Sequence, residues 1–345
     1  MVGFQTTLVV SLCAFVLSAA VVWYAGARLA YLSDALSERL KLAKSLVGLL
    51  FLSLATSLPE VATTLTGAVQ QNSGLVLNNL FGGIALQTAI LAMSDFWARR
   101  AITSYPRKAN HALEAMLVVF LLSIVLIFTQ FGERVEWVSV GLGSVLVVLA
   151  YAGAIALLRR YDDATDWVPV DLPDPDPLPF PAPTGLGSES VRTLLVHTGV
   201  AVGLILVFGL ALVVLAERIA DQSGLGTSFI GVTLLAGATS LPELTTSLTA
   251  VRIGAYTMAI SNIFGSNLIM VVLIFPADVL YRQGPILNDA SATVGLSLAF
   301  GILVTTIYLI GLIVRRKPRI GRVGLDSVLV LICFVASLWV YYLAR

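Results

Sequence analysis

Long runs of apolar residues, separated by short polar joints, make up most of this chain. Ten of these runs are long enough to cross a bilayer, because about 20 apolar residues span a hydrocarbon core of roughly 30 Å. The runs cover residues 5–27, 45–69, 75–94, 112–131, 136–158, 193–216, 228–251, 256–277, 291–314 and 324–344. Their continuity predicts helices, since the strands of a membrane β-barrel alternate apolar and polar residues.

Composition supports the same interpretation. Of the 345 residues, 58% are hydrophobic and 12% are charged, and the mean hydropathy is +0.93. A soluble domain carries roughly 25% charged residues. The sequence therefore predicts an all-α integral membrane protein of about ten transmembrane helices, with the lipid bilayer as a partner and no nucleic acid.

The distribution of basic residues predicts the orientation in the membrane. If successive loops alternate sides, all but four of the 21 Lys and Arg residues fall on one side. The four exceptions are Arg134, Arg218, Arg282 and Arg345. Because cytoplasmic loops retain Lys and Arg, ten helices then place both termini on the non-cytoplasmic side of the cell (inner) membrane.

The chain repeats itself at a constant spacing. Residues 55–60 and 238–243 both read Ala-Thr-Ser-Leu-Pro-Glu, an offset of 183 residues that needs no gaps. Further identities at the same offset join Thr63 to Thr246, Leu65 to Leu248, Thr66 to Thr249, Asn79 to Asn262, Phe81 to Phe264 and Gly82 to Gly265. Richness in Leu and Val does not reproduce Pro, Glu and Asn in register, so this is an internal repeat.

The repeat predicts the organisation of the whole chain. Residues 1–159 and 192–345 each hold five helices, and a cytoplasmic Asp/Pro-rich linker of residues 160–191 joins them. Because five is an odd number, the second half enters the membrane from the opposite side, and the repeats have inverted topology. Inverted repeats place a binding site near the middle of the bilayer and supply the two conformations of alternating access.

Two carboxylates stand out within the apolar spans. Of the 20 acidic residues, only Glu60 and Glu243 lie well inside a predicted helix. A charge at the bilayer centre costs about 2.5 to 3.5 kcal/mol even on lenient scales, so such groups usually face a polar cavity. The neighbouring Pro59 and Pro242 have no amide hydrogen, and each leaves the carbonyl four residues earlier without its helical partner.

Oxygen atoms surround these carboxylates in the sequence. The neighbouring hydroxyls belong to Thr56, Ser57, Thr239 and Ser240. Carboxylate, hydroxyl and carbonyl oxygens suit Ca²⁺ or Na⁺, whereas zinc prefers His or Cys. The structural alternative is that each Glu is protonated and that the hydroxyls bond back to their own helix. Asn79 and Asn262 either line the cavity or hold helices together.

Other polar residues have simpler interpretations. Asp95 with Arg99, and Asp278 with Arg282, form four-residue pairs at helix ends, where anchoring is favoured over gating. His111 is interpreted as a packing or interface residue that accompanies no Glu.

These residues resemble the calcium/cation antiporters, a family that includes the sodium/calcium exchangers. The resemblance rests on both Ala-Thr-Ser-Leu-Pro-Glu segments and on Asn-Ile-Phe-Gly-Ser-Asn at 262–267, and it implies export of Ca²⁺ driven by inward Na⁺ or H⁺. It implies Glu60 and Glu243 as the shared carboxylates. It further implies ion ligands at Thr56, Ser57, Thr239 and Ser240, the carbonyl of Ala236, the hydroxyl of Ser266, and the position of Gln87.

The sequence departs from the family pattern at three positions. Gly83 corresponds to Ser266 in the first half and has no hydroxyl, which weakens one sodium site. Gln87 and Met270 stand where the exchangers usually carry Asn or Asp, and Met is a poor ligand for a hard cation. Two carboxylates balance one divalent or two monovalent ions, so we expect closer to two monovalent ions per Ca²⁺ than three, with protons as an alternative to Na⁺.

Several alternatives remain open at this point. A protein of the same fold could carry Mg²⁺, Mn²⁺ or exchange Na⁺ for H⁺. An ion channel would also use a polar cavity, although an inverted repeat with broken helices favours a carrier. An intramembrane metal hydrolase needs His ligands at helical spacing, and the chain has two isolated His residues. No enzymatic activity and no cofactor are expected.

Overall fold

A computed structural model describes residues 8–98, 100–106, 108–134, 136–137, 140–162, 186, 189–223, 236–314, 319–320 and 323–343. Its helices are α1 (Leu8–Arg39), α2 (Lys44–Leu46), α3 (Ser53–Thr56), α4 (Leu58–Val69), α5 (Ser73–Met93), α6 (Asn110–Phe131), α7 (Leu142–Asp162), α8 (Val191–Gln222), α9 (Leu241–Arg252), α10 (Tyr256–Val272), α11 (Ile274–Leu280), α12 (Ala292–Ile313) and α13 (Leu325–Leu343). A π-helical segment, Val47–Leu52, joins α2 to α3, and 3₁₀ turns are formed by Ser94–Trp97, Ile102–Ser104 and Ile286–Asp289.

The helices confirm the predicted all-α membrane fold. Within the described ranges, eight helices are long and apolar enough to cross a membrane, and the bent pair Lys44–Thr56 and Leu58–Val69 makes a ninth span. Of the seventh predicted span, 228–251, the structure describes the part from residue 236 onward, which is helical at 236–239 and continues as α9.

The two halves keep the predicted register throughout the structure. Helices α1 and α8 each have 32 residues, and their first residues lie at the offset of the repeat. Two short antiparallel ladders repeat in the same way, β1 (Glu136–Trp137) with β2 (Val140–Gly141) and β3 (Arg319–Ile320) with β4 (Val323–Gly324). The repeat is therefore structural as well as sequential.

Two helix boundaries differ from the prediction. Helix α1 continues to Arg39 rather than ending near residue 27, because Leu29, Leu32 and Leu36 extend its apolar stripe and are buried. The fifth span begins at Leu142 rather than 136, since the residues before it pair as β1 and β2.

Most of the predicted linker, residues 160–191, lies outside the described residues. Helix α7 ends at Asp162 and α8 begins at Val191. The division of the chain at the linker therefore stays a prediction.

The first helix of each half crosses a helix of the other half at close range. Helices α1 and α8 pack along each other, α1 also packs on α9, and α8 packs on α4. A Cβ added to Gly209 would lie 2.5 Å from Pro59 Cγ, and one added to Gly26 would lie 3.0 Å from Thr245 Cβ. Glycine thus allows these crossings, which hold the two proline-containing helices inside the bundle.

Candidate cation site

The segment Ala-Thr-Ser-Leu-Pro-Glu folds into a broken helix in both halves. Ser57 and Ser240 leave helical geometry in nearly the same way, with φ/ψ of −84°/4° and −84°/5°. In the first half the two pieces meet at an angle of 51°. Each Pro then lies in the first turn of the new helix, where its missing amide hydrogen leaves no bond unmade. The helix break expected from proline is confirmed.

The break places both carboxylates at the start of a helix. Glu60 lies in the first turn of α4, and Glu243 lies in the first turn of α9. The positive end of a helix macrodipole favours negative charge there. Both side chains are buried, with 2% of Glu60 and none of Glu243 exposed. The chain therefore holds two acidic groups away from bulk water at two helix N-termini.

The two halves meet at these carboxylates. The Ser57 hydroxyl of the first half donates to Glu243 Oε1 of the second half at 3.2 Å. The hydroxyls of Thr56 and Ser266 also face the Glu243 carboxylate. Their geometry falls short of a hydrogen bond to it, because Thr56 donates to the Ser53 carbonyl at 3.2 Å and the Ser266 hydroxyl has no protein partner among the described residues.

Several buried oxygens around this contact lack protein partners. Among the residues that the structure describes, neither carboxylate oxygen of Glu60 accepts a hydrogen bond, and neither does Oε2 of Glu243. The Asn267 amide is similarly without a partner there. A buried polar group left unsatisfied costs about 1 to 3 kcal/mol, and more when it is charged. Cation binding would relieve this cost, which favours an ion site over the purely structural alternative.

On the second-half side, the residues named from the sequence also lie together. The Ala236 carbonyl accepts the Thr239 hydroxyl at 3.1 Å and the Ser240 amide at 3.1 Å. Thr239 and Ser240 are both buried. The Ser53 carbonyl, at the equivalent place in the first half, accepts the Thr56 hydroxyl and the Ser57 amide. These hydrogen bonds stabilise the helix breaks. A bound ion would be coordinated by hydroxyl and carbonyl oxygens that already have local hydrogen-bond partners.

The two asparagines tie each broken helix to the next helix. Asn79 Nδ2 donates to the Glu60 carbonyl at 3.3 Å and to the Thr64 hydroxyl at 2.9 Å. Asn262 Nδ2 donates to the hydroxyls of Thr246 and Ser247 at 3.1 and 3.2 Å. Both amides therefore act as braces between helices and fix the direction in which α4 and α9 present their carboxylates.

Of the three positions that depart from the family pattern, two are in the interior and Gly83 is half-buried. Gln87 and Met270 are buried, and Gln87 Oε1 has no hydrogen-bond partner among the described residues. No described atom lies within 4 Å of a Cβ built on Gly83. There is thus room at Gly83 for the side chain that its counterpart Ser266 has.

The aspartates of the four-residue pairs at the helix ends anchor backbone amides. Asp278 accepts the amides of Gly141 and Ile286 at 2.8 and 2.7 Å, and no described contact pairs it with Arg282. Asp95 accepts the amides of Ile102 and Gly324 at 2.8 and 3.1 Å. The predicted Asp278–Arg282 pair is wrong, because backbone amides already fill both oxygens, and Arg99 lies outside the described residues.

The sequence analysis missed the buried acidic group Glu114, as well as the buried Glu133 and Asp326. Glu114 of α6 is 2% exposed, and its carboxylate accepts the Ser261 hydroxyl of α10 at 2.7 Å and contacts His111 Nδ1 at 3.1 Å. The expectation that His111 accompanies no Glu is therefore wrong. The i, i+3 spacing of His111 and Glu114 was available in the sequence, but the contact with Ser261 joins the two halves and had no local signal.

The site offers hard oxygen ligands and no soft ones. Across the described residues, no three His, Cys, Asp or Glu side chains converge on a point. Inverted halves, two buried carboxylates on broken helices and neutral oxygens around them together define a multi-pass integral membrane transporter, as distinct from an enzyme.

The family model described as sodium/calcium exchanger protein matches residues 10–159 and 193–343. The chain therefore belongs to the sodium/calcium exchanger family, which is a family of transporters, and has its antiporter fold.

Curated relatives and solved structures agree with this assignment. A putative antiporter, CaxA of Alkalimonas amylolytica, is 26% identical over 322 residues, which cover 91% of this chain and 92% of that protein. The inner membrane protein YrbG of Escherichia coli (strain K12) is 23% identical over 315 residues, which cover 87% of each. A structure of the sodium-calcium exchanger NCX_Mj matches with a TM-score of 0.71 and 18% identity, over 96% of this chain and 99% of that one. The last match shows the shared fold.

Proposed function

We propose that this protein is a secondary active antiporter that exports Ca²⁺ in exchange for Na⁺ or H⁺ by alternating access. The observation that supports this most directly is the contact between Ser57 of one half and Glu243 of the other, beside a buried Glu60 without protein partners among the described residues. A site built jointly by two inverted halves changes its accessibility when the halves move relative to each other.

The proposed ion ligands are those named from the sequence. Glu60 and Glu243 neutralise the ion, and oxygens from Thr56, Ser57, Thr239, Ser240, Ser266, Gln87 and the Ala236 carbonyl complete its coordination. Ca²⁺ takes six to eight oxygens in flexible geometry, whereas Mg²⁺ demands a smaller octahedral site. Flexible hydroxyls and carbonyls at two helix breaks fit the larger ion.

The charge of the core sets the proposed stoichiometry. Two carboxylates carry two negative charges, and Gln87 and Met270, at the positions where the family usually carries Asn or Asp, add no third. One Ca²⁺ or two monovalent ions neutralise this core, so the proposed exchange is two monovalent ions per Ca²⁺. Such an exchange moves no net charge.

The proposed location is the inner membrane, with both termini on the non-cytoplasmic side and the acidic linker in the cytoplasm. The relative YrbG carries the description inner membrane protein. The orientation is supplied by the Lys and Arg residues, most of which lie in the loops that follow the first, third, fifth, seventh and ninth predicted spans.

Liposome flux measurements test the proposed function. Purified protein is reconstituted, and Ca²⁺ movement is followed under a Na⁺ gradient at clamped pH, then under a pH gradient without Na⁺. Flux under either gradient that disappears in Glu60→Gln supports the proposal, and the gradient that drives it identifies the coupling ion. Flux that needs no counter-ion would instead indicate a channel, and absence of Ca²⁺ flux under both gradients would refute the choice of ion.

A further inference from the structure

A line of buried polar side chains runs from the core to the face of the protein that carries Asp95. We call it the polar seam. It consists of Gln87 on α5, Thr305 and Tyr308 on α12, and Asp326 and Ser327 on α13, and it ends at Asp95. Every one of these side chains is buried, and Thr305, Tyr308, Ser327 and Asp95 have no exposed surface.

Four groups in the polar seam lack hydrogen-bond partners within the described part of the chain. They are Gln87 Oε1, Thr305 Oγ1 and the Tyr308 hydroxyl, on α5 and α12, and the Ser327 hydroxyl on α13. Asp95 and Asp326 lie near enough to Tyr308 for their charges to act on its hydroxyl. Unsatisfied buried groups are rare in folded proteins and usually indicate an ordered water or an ion between them. Three along one helix interface point to a hydrated interior.

The inverted repeat supplies an internal comparison. The equivalent helix interface is formed by α10, α6 and α7, and there Met270 replaces Gln87, Leu122 replaces Thr305 and Val125 replaces Tyr308. All three are buried. At its end, Gly143 replaces Asp326. Apolar residues therefore satisfy the packing at these positions. Ser327 and Asp95 have polar counterparts, Ser144 and Asp278, so the difference between the halves lies at Gln87, Thr305, Tyr308 and Asp326.

The packing of α5 on α12 places the polar residues along one interface. A Cβ added to Gly301 would lie 3.3 Å from Ile84 Cγ2, which brings these two helices together about one turn before Gln87 and Thr305. From that point both helices run toward Asp95 and α13, and α13 packs on each of them. The polar seam thus connects the interior at Gln87 with the end of α5.

We propose that the polar seam is a water-filled side passage that admits protons to the cation core from the Asp95 face, which is cytoplasmic in the proposed orientation. Each hydroxyl and water along the passage can both accept and donate a hydrogen bond. A proton that one end of this hydrogen-bonded chain takes up is therefore matched by a proton that the other end releases. The passage does not suit Ca²⁺, which needs six to eight oxygen ligands at one point. The role in supplying protons rests on the proposed function, whereas the hydration of the seam does not.

Other charged and titratable groups lie on the elements packed around the polar seam. Helix α6, which packs on α12, contributes His111 and Glu114, which bond to each other and to Ser261. Arg252 lies over the Trp97 ring at 5.7 Å, next to the end of α5. The carboxylates near Tyr308 are Asp95 and Asp326, and the Thr103 hydroxyl donates to Asp326 at 2.8 Å.

Radiolytic hydroxyl-radical labelling of the unmodified protein tests the hydration directly. Radicals formed from bound water label the side chains beside that water. We expect Tyr308 to be labelled and Met258 to stay unlabelled, although Met is the more readily oxidised residue. Met258 serves as the dry control because it is fully buried on α10 and belongs neither to the polar seam nor to the proposed ion ligands. An unlabelled Tyr308, or equal labelling of both residues, would overturn the proposal.

Conservative variants test the proton route. Tyr308→Phe and Thr305→Val remove only a hydroxyl or exchange it for a methyl group, and Thr306→Val is the matched control, because its hydroxyl already donates to the Ile302 carbonyl at 2.7 Å. We expect at least a tenfold loss of Ca²⁺ flux driven by a pH gradient in the first two variants, with unchanged Ca²⁺ binding and an unaffected control. Equal flux in all three overturns the route. Absence of flux in the unmodified protein refutes the proposed function, while the labelling still decides whether the seam is hydrated.

Discussion

Glu60 and Glu243 lie in equivalent places, each in the first turn of a short helix that follows a bend. The helix dipole favours negative charge at both points, and the Ser57 hydroxyl donates to Glu243, yet three of the four carboxylate oxygens have no hydrogen-bond partner among the described residues. The same residues in a purely structural role would be expected to have their oxygens satisfied by the protein. This contrast is the residue-scale basis for a cation core.

The two halves of the core differ at Gly83, and this difference can be tested. Gly83→Ser adds the hydroxyl that Ser266 supplies in the other half, and no described atom obstructs its Cβ. We expect a severalfold lower Na⁺ concentration for half-maximal flux, because one more oxygen is available to the ion. The control is Gly82→Ser, which also meets no described atom but is exposed. Unchanged Na⁺ dependence in Gly83→Ser would contradict a role for this position.

Single residues were predicted from the sequence where an energetic cost made them conspicuous. Glu60 and Glu243 were found because a carboxylate deep in an apolar run is costly. Glu114 was missed for two reasons. It lies one turn into α6, where a charged residue is typical of a helix end, and its partner Ser261 lies in the other half of the chain. Tyr308 read as an ordinary residue of an apolar helix, and only the comparison with Val125 distinguishes it.

At the scale of elements, glycine crossings hold the broken helices in place, and the crossing at Gly209 yields a prediction. Gly209→Ala brings a Cβ to 2.5 Å from Pro59 Cγ. Such overpacking typically costs about 1 to 3 kcal/mol and forces neighbouring groups to move. We expect a lower melting temperature and at least a tenfold loss of transport, since Pro59 adjoins Glu60.

The matched control for this crossing is Gly203→Ala on the same helix. No described atom lies within 4 Å of a Cβ at Gly203. Because Ala favours helix over Gly by about 0.5 to 1 kcal/mol, this variant should be neutral or slightly stabilised. Equal behaviour of the two variants would mean that the crossing at Pro59 is not tight.

The start of α7 offers a test by pH. Glu133, in the loop before α7, accepts the Gly143 amide through both oxygens at 2.9 and 3.0 Å. Burial raises the pKa of Glu133, hydrogen bonding from Gly143 opposes this rise, and the Asp278 carboxylate adds to it. A raised pKa means that the folded protein holds this proton more tightly than the unfolded chain. The resulting stability is present at pH below the unfolded pKa and is lost as the pH rises through the folded pKa.

Glu133→Gln cannot ionise and keeps one acceptor for Gly143. We therefore expect its melting temperature, relative to the unmodified protein, to increase as the pH is raised from about 4 to about 8. The exposed Glu217→Gln is the control, measured over the same range by thermal unfolding in detergent. A difference that stays constant or falls with pH would contradict the raised pKa.

Element boundaries were predicted less well than element identity. The apolar runs predicted the spans, but the first run was ended too early, at Arg28. In the structure α1 continues to Arg39 as an amphipathic helix, because one of its faces is buried against α8. The ladder of β1 and β2 was read as part of a span, since Val140 and its neighbours are apolar. Tertiary packing decides both boundaries, and a hydropathy window contains no information on it.

At the scale of the whole molecule, the inverted repeat accounts for both the fold and its asymmetries. The structure follows the register of the sequence from the first helix of each half, α1 or α8, to the short β ladder before the last helix of each half. Within that shared register, the two halves carry different side chains at Gly83, Met270, Thr305, Tyr308 and Asp326. An alignment of the chain with itself predicts these positions, although their contacts needed the structure.

The charge moved per transported Ca²⁺ tests the central claim most directly. Ca²⁺ flux and membrane current are recorded together on the same liposomes, for the unmodified protein and for Glu60→Gln. A core of two carboxylates predicts counter-ion-dependent Ca²⁺ flux without net current, and loss of that flux in Glu60→Gln. One net charge per Ca²⁺ would contradict the two-carboxylate core, and flux that survives Glu60→Gln would contradict the site itself.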